Sequence, residues 1–449
     1  MNEFKQAFDH AARLHNGGKI AEACAIYDRL LAQAPGDPFL LYAYGTACSQ
    51  SNMFGLAINM LRQSTEANPS NHEAWHNLGL SYRNIGQVEK GISAYQRVLA
   101  MDLPPDQKVS LYGNLSGCYI NEGCPEKAIH YANLGLAIQD RPQLRNHKAL
   151  ALLEMGDYLN GFKLYEARYE LPEFTKRDFG DAPKWDGSPV KVLAIHGEQG
   201  LGDEIHFLTT LAKVLPLVEE CHIECAVRLL GVLKHSFRNE PKVKLYTSHQ
   251  ELSARVKPDA WIGMGSLPAL TWPWQKNVWL KSSRTYRKGQ WPRVGISWKG
   301  GTLKTHEYHR NAPIEDWKQF VWGARANGVE VISVQYGPAD DVAKHLDIEH
   351  DAASIADMDT LTGMIQSCDL VVSVCNTTVH QAGASGTPCW QLVPAKPDWR
   401  WGQTGEECYW YDSVSFIRQR KDEAWSSVLA TATSRLQEWA KTKQTALVE

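Results

Sequence analysis

A pattern with a period of about 34 residues runs through the first 170 residues. At five places a small residue is followed four positions later by a second packing residue that is generally larger: Ala23/Tyr27, Ala57/Leu61, Gly91/Tyr95, Ala128/Ala132 and Gly161/Tyr165. The intervals between the first members are 34, 34, 37 and 33 residues. Such a period predicts a stack of helix pairs, because small residues let antiparallel helices approach closely while aromatic rings fill the gaps between pairs.

Two further tracks keep the same register. Five residues before each small residue stands a turn residue, a glycine in four units and Asn52 in the second. The run Trp75-x-x-Leu78-Gly79-x-x-Tyr82 returns as Tyr112, Leu115 and Tyr119. The whole pattern resembles the tetratricopeptide repeat, with about five units over residues 1–170. That resemblance implies an all-α superhelical array whose concave face binds a protein or peptide.

The repeat pattern ends before residues 171–189, which form a predicted linker rich in Pro, Asp and Gly. The run Val190–His196 predicts a strand, and a glycine loop and a helical pattern follow it. A second strand and glycine loop start at Arg293. We therefore predict two doubly wound α/β domains, residues 190–290 and 291–449, with a ligand in the cleft at the carboxyl ends of the strands.

Composition and charge narrow the function class. The chain has 449 residues with 50 acidic and 47 basic side chains, so bulk electrostatics give no support for a nucleic-acid partner. No apolar run reaches the roughly 18 residues of a membrane span, and the N-terminus shows no signal segment. Ten scattered cysteines fit reduced thiols. We expect a cytoplasmic protein with no membrane span and no nucleic-acid partner.

Several enzyme motifs are missing from the sequence. The glycines of 197–202 run G-x-x-G-x-G, which is not the order of a dinucleotide fingerprint, and no Walker loop follows. There is no G-x-S-x-G nucleophile elbow. No Asp-x-Asp triplet stands at a predicted strand end as a metal site. The expectation is therefore no metal and no tightly bound cofactor.

The α/β half carries a specific resemblance. Gly200-x-Gly202-Asp203-x-Ile205-x-Phe207 is similar to the opening loop of bacterial tetratricopeptide-linked glycosyltransferases, which are relatives of the ADP-heptose:lipopolysaccharide heptosyltransferases. Further similar motifs follow in the same order: Gly295–Gly300, Ser333–Gln335 with Gly337–Ala339, Asp369–Val374, His380–Ala384, Pro397–Trp401 and Ile417–Gln419. The resemblance implies the GT-B fold and inverting, metal-independent transfer from a nucleotide-sugar.

The resemblance places the catalytic base at Asp203. A base must take the proton of the acceptor hydroxyl as the sugar arrives. The alternative for Asp203 is a carboxylate that caps the following helix. Glu204 and His206 are possible helpers, and for His206 the alternative is a buried helix residue.

Donor-binding candidates follow strands of the second α/β domain. Lys299 could neutralise the leaving phosphate, Gln335 could contact the base or ribose, and the helix opened by Asn376, Thr377 and Thr378 could bind a phosphate at its N-terminus. Ordinary helix caps and a solvated loop lysine are the alternatives. The remaining candidates are His380, one turn into that helix, and, with weaker support, Trp298, Lys304, Arg310 and Trp399.

One departure leaves the donor open. The heptosyltransferases usually carry Asp-Thr where this chain has Cys375-Asn376, and a Cys-Asn-Thr version resembles enzymes tied to protein glycosylation, flagellin included. The donor is then ADP-heptose or a CMP-linked nonulosonic acid. The leading hypothesis is transfer to Ser or Thr of a protein recruited by the repeats, with flagellin as the candidate acceptor. Two alternatives stay open, a heptosyltransferase-like enzyme acting on a surface glycolipid and a non-catalytic repeat scaffold.

Overall fold

The chain forms two compact units, residues 1–155 and 156–449. A computed structural model describes residues 2–172, 174, 177–286, 289–301, 307–337, 339–350 and 357–448. Lys304 lies outside the described residues, and so does Pro338. The two units are described separately below.

The described residues of the first unit form four successive helix pairs and a ninth helix. Its helices are α1 (Asn2–Asn16), α2 (Ile20–Leu31), α3 (Pro38–Gln50), α4 (Phe54–Ala67), α5 (His72–Asn84), α6 (Val88–Leu99), α7 (Pro105–Asn121), α8 (Pro125–Ile138) and α9 (Pro142–Glu154). A Cβ on Gly79 of α5 would lie 2.7 Å from a ring carbon of Tyr95 in α6, so only glycine allows this approach. At the turn of the second pair Asn52 has φ 60°, where the other turns have glycine. The predicted helical array is confirmed.

The last predicted repeat is divided between the two units. Its first helix is α9, whereas its second helix, α10 (Tyr158–Tyr165), belongs to the compact unit that starts at residue 156. Phe162 of α10 is fully buried against the rings of Trp274, Trp399 and Trp410. The compact division falls before α10, because α10 buries its aromatic face in the α/β region.

The second unit contains a four-stranded parallel sheet with strand order β3-β2-β1-β4. Its strands are β1 (Val190–His196), β2 (Val218–Glu224), β3 (Val243–Tyr246) and β4 (Ala260–Gly263). The helices that follow these strands are α11 (Leu201–Leu208), α12 (Leu230–Ser236), α13 (His249–Arg255) and α14 (Leu267–Thr271). Part of the predicted linker packs on this sheet. The Trp185 N–H donates to the Trp261 carbonyl at 2.8 Å, and the Trp185 side chain is buried.

A five-stranded parallel sheet follows, with strand order β6-β5-β7-β8-β9. Its strands are β5 (Arg293–Ser297), β6 (Glu330–Ser333), β7 (Leu370–Val374), β8 (Cys389–Val393) and β9 (Val414–Arg418). Its helices are α15 (Glu307–Arg310), α16 (Ile314–Ala326), α17 (Asp340–Leu346), α18 (Met358–Ser367), α19 (Thr377–Ser385) and α20 (Trp425–Val448). Strand residues Val294, Ile296 and Val372 are fully buried in one core with Trp317 and Phe320 of α16. The prediction of a parallel-sheet α/β region with two sheets is confirmed.

Candidate functional site

A cavity of about 420 Å³ lies in the second unit, at the carboxyl ends of strands from both sheets. The loop after β1 and the start of α11 form one wall, and segments that follow β5, β6, β7 and β8 form the others. The lining residues are Gln199, Gly200, Leu201, Gly202, Asp203, Gly301, Arg310, Tyr336, Cys375, Asn376, Thr377, His380, Asp398, Arg400 and Trp401. This is where parallel α/β sheets place their ligands.

Asp203 lies in the first turn of α11 and lines the cavity. Its Oδ2 accepts a hydrogen bond from the Gly200 N–H at 3.1 Å, so the capping role is real. Its Oδ1 forms an ion pair with Arg400, and the side chain remains 20 % exposed. The carboxylate therefore both caps the helix and faces the cavity, and the two roles are compatible.

Arg400 is the cation that pairs with Asp203. Its Nη1 donates to Asp398 Oδ1 at 2.6 Å, and its guanidinium lies 4.3 Å from the centre of the Trp399 ring. Burial lowers the pKa of Arg400, but the carboxylates of Asp203 and Asp398 more than offset this and hold its pKa above the usual range. Asp398 is shared, since its Oδ2 lies 3.5 Å from Arg310 Nη2. Two cations and two anions thus alternate along the cavity wall.

The predicted donor-binding side chains around Asn376 are engaged in holding strand ends together. Asn376 Nδ2 donates to Ser297 Oγ at 2.7 Å, and its Oδ1 accepts from the Thr378 N–H at 2.9 Å. Thr378 is fully buried and donates through Oγ1 to the Val334 carbonyl at 3.1 Å. Asn376 and Thr377 line the cavity, whereas Thr378 does not and instead donates its N–H to Asn376.

Gln335 and Lys299 occupy positions that differ from their predicted roles. The Gln335 Oε1 accepts from the N–H groups of Trp298 and Lys299, at 3.0 and 2.8 Å, and its Nε2 donates to the carbonyls of Lys299 and Tyr336. The Gln335 amide is therefore occupied by the chain itself, which leaves it little capacity to contact a base. Lys299 has an exposed side chain outside the cavity lining, and Trp298 is buried. Arg310, a weaker candidate, does line the cavity.

The two predicted histidines stack on one another beneath the cavity. The rings of His206 and His380 lie 5.2 Å apart, and neither ring nitrogen of His206 has a hydrogen-bond partner among the described residues. Burial lowers the pKa of His380 to about 3 and that of His206 well below its usual value. Both imidazoles are therefore neutral. His380 Nδ1 lies 3.1 Å from the Tyr411 hydroxyl, and His380 lines the cavity, whereas His206 does not.

Glu204 points away from the cavity. Its Oε2 accepts a hydrogen bond from the Ala226 N–H at 2.9 Å, just beyond the end of β2. Burial, followed by the nearby carboxylate of Glu224, raises the pKa of Glu204 to about 7 although the Ala226 N–H lowers it. Glu204 thus joins the first turn of α11, which also carries Asp203, to the segment after β2. The Trp399 ring lies against the Arg400 guanidinium and does not line the cavity.

Sequence reasoning missed Arg400, Asp398 and Gln199 as site residues. The signal that identifies the first two is Asp398-Trp399-Arg400 shortly after β8, because side chains beyond parallel strands converge at one sheet edge. Gln199 has φ 68°, a left-handed conformation that is uncommon for a residue other than glycine. Its Nε2 donates to the Tyr165 hydroxyl at 2.9 Å, and its Oε1 lies 3.4 Å from Arg400 Nη2.

The repeat unit has a cavity of its own, of about 300 Å³. Residues from α3, α5 and α7, the first helices of successive pairs, form most of it. The lining is Tyr42, His72, Glu73, His76, Asn77, Val98, Leu103, Asp106, Gln107, Ser110, Leu111 and Arg141. This mixed polar lining offers both donors and acceptors and carries no strong charge of either sign.

Within the described ranges no group of three or more His, Cys, Asp or Glu side chains is placed to hold a metal ion. No helix in the same part of the chain has the length and apolar character needed to cross a membrane.

Comparison with known proteins supports the repeat assignment directly. Residues 60–92 match the family model of the tetratricopeptide repeat. Protein FlbA of Caulobacter vibrioides is 26% identical over 453 residues, which cover 89% of this chain and 73% of that protein. The peroxisomal targeting signal receptor of Kluyveromyces lactis is 34% identical over 92 residues, covering 20% of this chain and 16% of the receptor.

Solved structures similar to this chain cover about two fifths of it. A crystal structure of MamA covers 38% of this chain and 92% of its own length, with 21% identity and a TM-score of 0.35. A structure of pilF from Pseudomonas aeruginosa covers 38% of this chain and 80% of its own length, with 16% identity and a TM-score of 0.34. The chain carries a helical array with a tetratricopeptide-repeat match at residues 60–92, followed by a parallel α/β region with two sheets, and it is similar to FlbA over 89% of its length.

Proposed function

We propose that the chain is an inverting glycosyltransferase with the GT-B fold, which moves a sugar from a nucleotide-sugar to a protein acceptor. The observation that carries this proposal is the meeting of Asp203 and Arg400 in one cavity, at the carboxyl ends of strands from two parallel sheets. A carboxylate and a guanidinium facing the same space are the two groups that direct displacement at a sugar phosphate requires.

The proposed step is a single displacement. The acceptor hydroxyl oxygen bonds to the anomeric carbon on the face opposite the nucleotide, and the bond from that carbon to the leaving phosphate oxygen breaks. The hydroxyl proton passes to Asp203. The negative charge that develops on the leaving phosphate is neutralised by Arg400 and Arg310, so in this proposal the two arginines do the work that a divalent cation would do.

The repeat unit is proposed to recruit the acceptor polypeptide. Its polar cavity lies along the first helices of successive pairs and fits a peptide chain better than a lipid, because its lining is dominated by hydrogen-bonding groups. Flagellin is the acceptor that the resemblance implies, and ADP-heptose and a CMP-linked nonulosonic acid are the donors. The site of action that we propose is the cytoplasm.

The test is an intact-mass measurement on the acceptor. The full chain is incubated with flagellin and either donor, and a mass increase of one sugar residue on flagellin is expected. Asp203→Asn should abolish the increase, and Glu406→Gln, which removes a carboxylate from the exposed ion pair with Arg435, should leave it intact. Modification of a glycolipid alone would support the heptosyltransferase-like alternative. No transfer and no nucleotide binding would support the scaffold alternative.

A further inference from the structure

Arg400 has two partners that compete with any ligand phosphate. Its guanidinium is divided between Asp203 on one side and Asp398 on the other, and the side chain is 13 % exposed. Among the described residues, the charged side chains that line the cavity are those of Asp203, Asp398, Arg310 and Arg400. The charges of these four side chains cancel, and a phosphate group that approaches either arginine meets a carboxylate beside it.

The two aspartates are held differently. Asp398 is anchored, since its Oδ1 accepts from the Arg400 N–H at 3.2 Å as well as from Arg400 Nη1 at 2.6 Å, and its Oδ2 faces Arg310 at 3.5 Å. Asp203 keeps an independent hydrogen bond, from the Gly200 N–H, which does not depend on Arg400. Asp398 lies two residues before Arg400 and therefore stays beside it, whereas Asp203 comes from a separate element, α11. The contact between Arg400 and Asp203 is therefore the one that an entering phosphate can replace.

We propose that a phosphate-bearing ligand replaces Asp203 as the partner of Arg400. Asp203 then becomes free to act as a base only after the donor has bound. This proposal rests on the proposed function and concerns its regulation. While Arg400 holds Oδ1 and the Gly200 N–H donates to Oδ2, both carboxylate oxygens of Asp203 are engaged, so neither is free to receive the acceptor hydroxyl. When Arg400 pairs with the donor phosphate instead, Asp203 no longer has this cation as a partner. Arg400 and Arg310 then both contact the ligand, and Asp398 lies between them.

The exchange predicts a definite order of binding. With the donor absent, Asp203 is paired and the acceptor hydroxyl finds no free base. With the donor bound, the charge of Arg400 is used at the phosphate and Asp203 faces the acceptor. By linkage, Asp203 and the phosphate ligand must weaken each other's hold on Arg400 to the same extent.

The experiment measures binding of inorganic pyrophosphate to the full chain by isothermal titration calorimetry, with CDP and ADP as further probes. Asp203→Asn keeps an acceptor oxygen for the Gly200 N–H and removes the charge that competes for Arg400. We expect pyrophosphate to bind this variant about tenfold more tightly than the native chain. Arg400→Lys retains the charge but loses the forked donor geometry, and we expect it to bind pyrophosphate at least about tenfold more weakly. Glu406→Gln is the matched control and should bind as the native chain does.

Binding and transfer separate the two proposals. Unchanged or weaker pyrophosphate binding by a folded Asp203→Asn variant would overturn the exchange, even if the native chain transfers a sugar. Tighter binding by that variant, together with an absence of transfer by the native chain to any acceptor tried, would support the exchange and overturn the proposed function. Equal loss of binding in Arg400→Lys and in the control would also contradict the exchange, because it would show that the loss does not involve Arg400.

Discussion

Arg168 and Glu198 form a buried ion pair in which the guanidinium donates two hydrogen bonds to the carboxylate, at 2.8 Å from Nε and 2.7 Å from Nη2. Arg168 has no exposed side-chain surface, and Glu198 has 5 %. Glu198 stands in the loop that leads from β1 to Asp203, and its Oε1 also accepts from the Gly265 N–H at 2.7 Å. The segment directly after α10 therefore fixes the loop that leads into α11, the helix that carries the proposed base.

Arg168→Met should destabilise the α/β unit strongly. Removal of one partner leaves the Glu198 carboxylate buried without its cation, which costs about 3–5 kcal/mol in comparable buried pairs. The measurement is the free energy of unfolding in urea. The double variant Arg168→Met with Glu198→Gln should recover part of the loss, because no uncompensated charge remains. Arg435→Met, from an exposed pair, is the control, and an equal loss there would contradict this account.

Truncation before α10 and truncation after it should have opposite results. A fragment of residues 156–449 keeps Phe162 and Arg168 and should fold with a cooperative thermal transition. A fragment of residues 171–449 lacks both, exposes the ring faces of Trp399 and Trp410 that Phe162 covers, and leaves Glu198 unpaired. We expect the shorter fragment to aggregate or to melt without cooperativity, as monitored by circular dichroism. Equal folding of the two fragments would show that α10 is dispensable.

The raised pKa of Glu204 predicts a change of stability with pH. A carboxyl whose pKa is higher in the folded chain than in the unfolded chain binds its proton more tightly when folded, so stability falls as the pH rises from about 4.5 to about 7. Glu204→Gln removes this dependence. The difference in unfolding free energy between pH 5 and pH 8 should shrink by up to about 3 kcal/mol in the variant. Urea unfolding at both pH values measures it.

The control for that prediction is Glu219→Gln, a change of an exposed carboxylate in β2. It should leave the difference between pH 5 and pH 8 as in the native chain. If Glu204→Gln and Glu219→Gln behave alike, burial of Glu204 is not the source of the pH dependence.

The sequence predicted the elements well because their signals are local or periodic. Ala57 and Gly91 mark the repeat register, and the apolar run at 190–196 gives a strand with the bounds of β1. The end of the repeats was harder to predict. Phe162 and Tyr165 fit the repeat pattern, yet they bury their rings against tryptophans more than a hundred residues away, and no local pattern contains that information.

The candidate site was predictable only in part. Asp203, Asn376 and His380 line the cavity, and each follows a strand in the sequence. Arg400 was overlooked because its partner Asp203 lies 197 residues earlier in the chain. The position of Gln335 after a strand predicts a contact with the ligand. A buried amide must satisfy its hydrogen bonds, however, and the N–H groups of Trp298 and Lys299 already donate to the Gln335 side-chain oxygen.

Gly202→Ala should disturb the candidate site, although it adds only one methyl group to α11 and leaves Asp203 unchanged. A Cβ at Gly202 would lie 2.9 Å from His380 Cδ2 and 3.3 Å from Thr377 Oγ1, where α11 packs on α19. The His380 ring cannot withdraw, since Trp401 and His206 pack on it and Tyr411 holds its Nδ1. The helices must separate instead, which moves Asp203 relative to Asn376.

The expected cost of Gly202→Ala is about 1–3 kcal/mol of unfolding free energy, as for other insertions into a filled core. Sugar transfer should fall with it. Gly231→Ala, in α12, is the matched control, because its Cβ would meet its nearest neighbours at 3.5 Å and 3.6 Å, which is ordinary contact. Alanine is also the better helix former by up to about 1 kcal/mol, so Gly231→Ala should be neutral or stabilising. The melting temperatures of both variants distinguish local crowding from a general effect of removing helix glycines. If both variants lose stability equally, the close packing of α11 on α19 does not explain the loss.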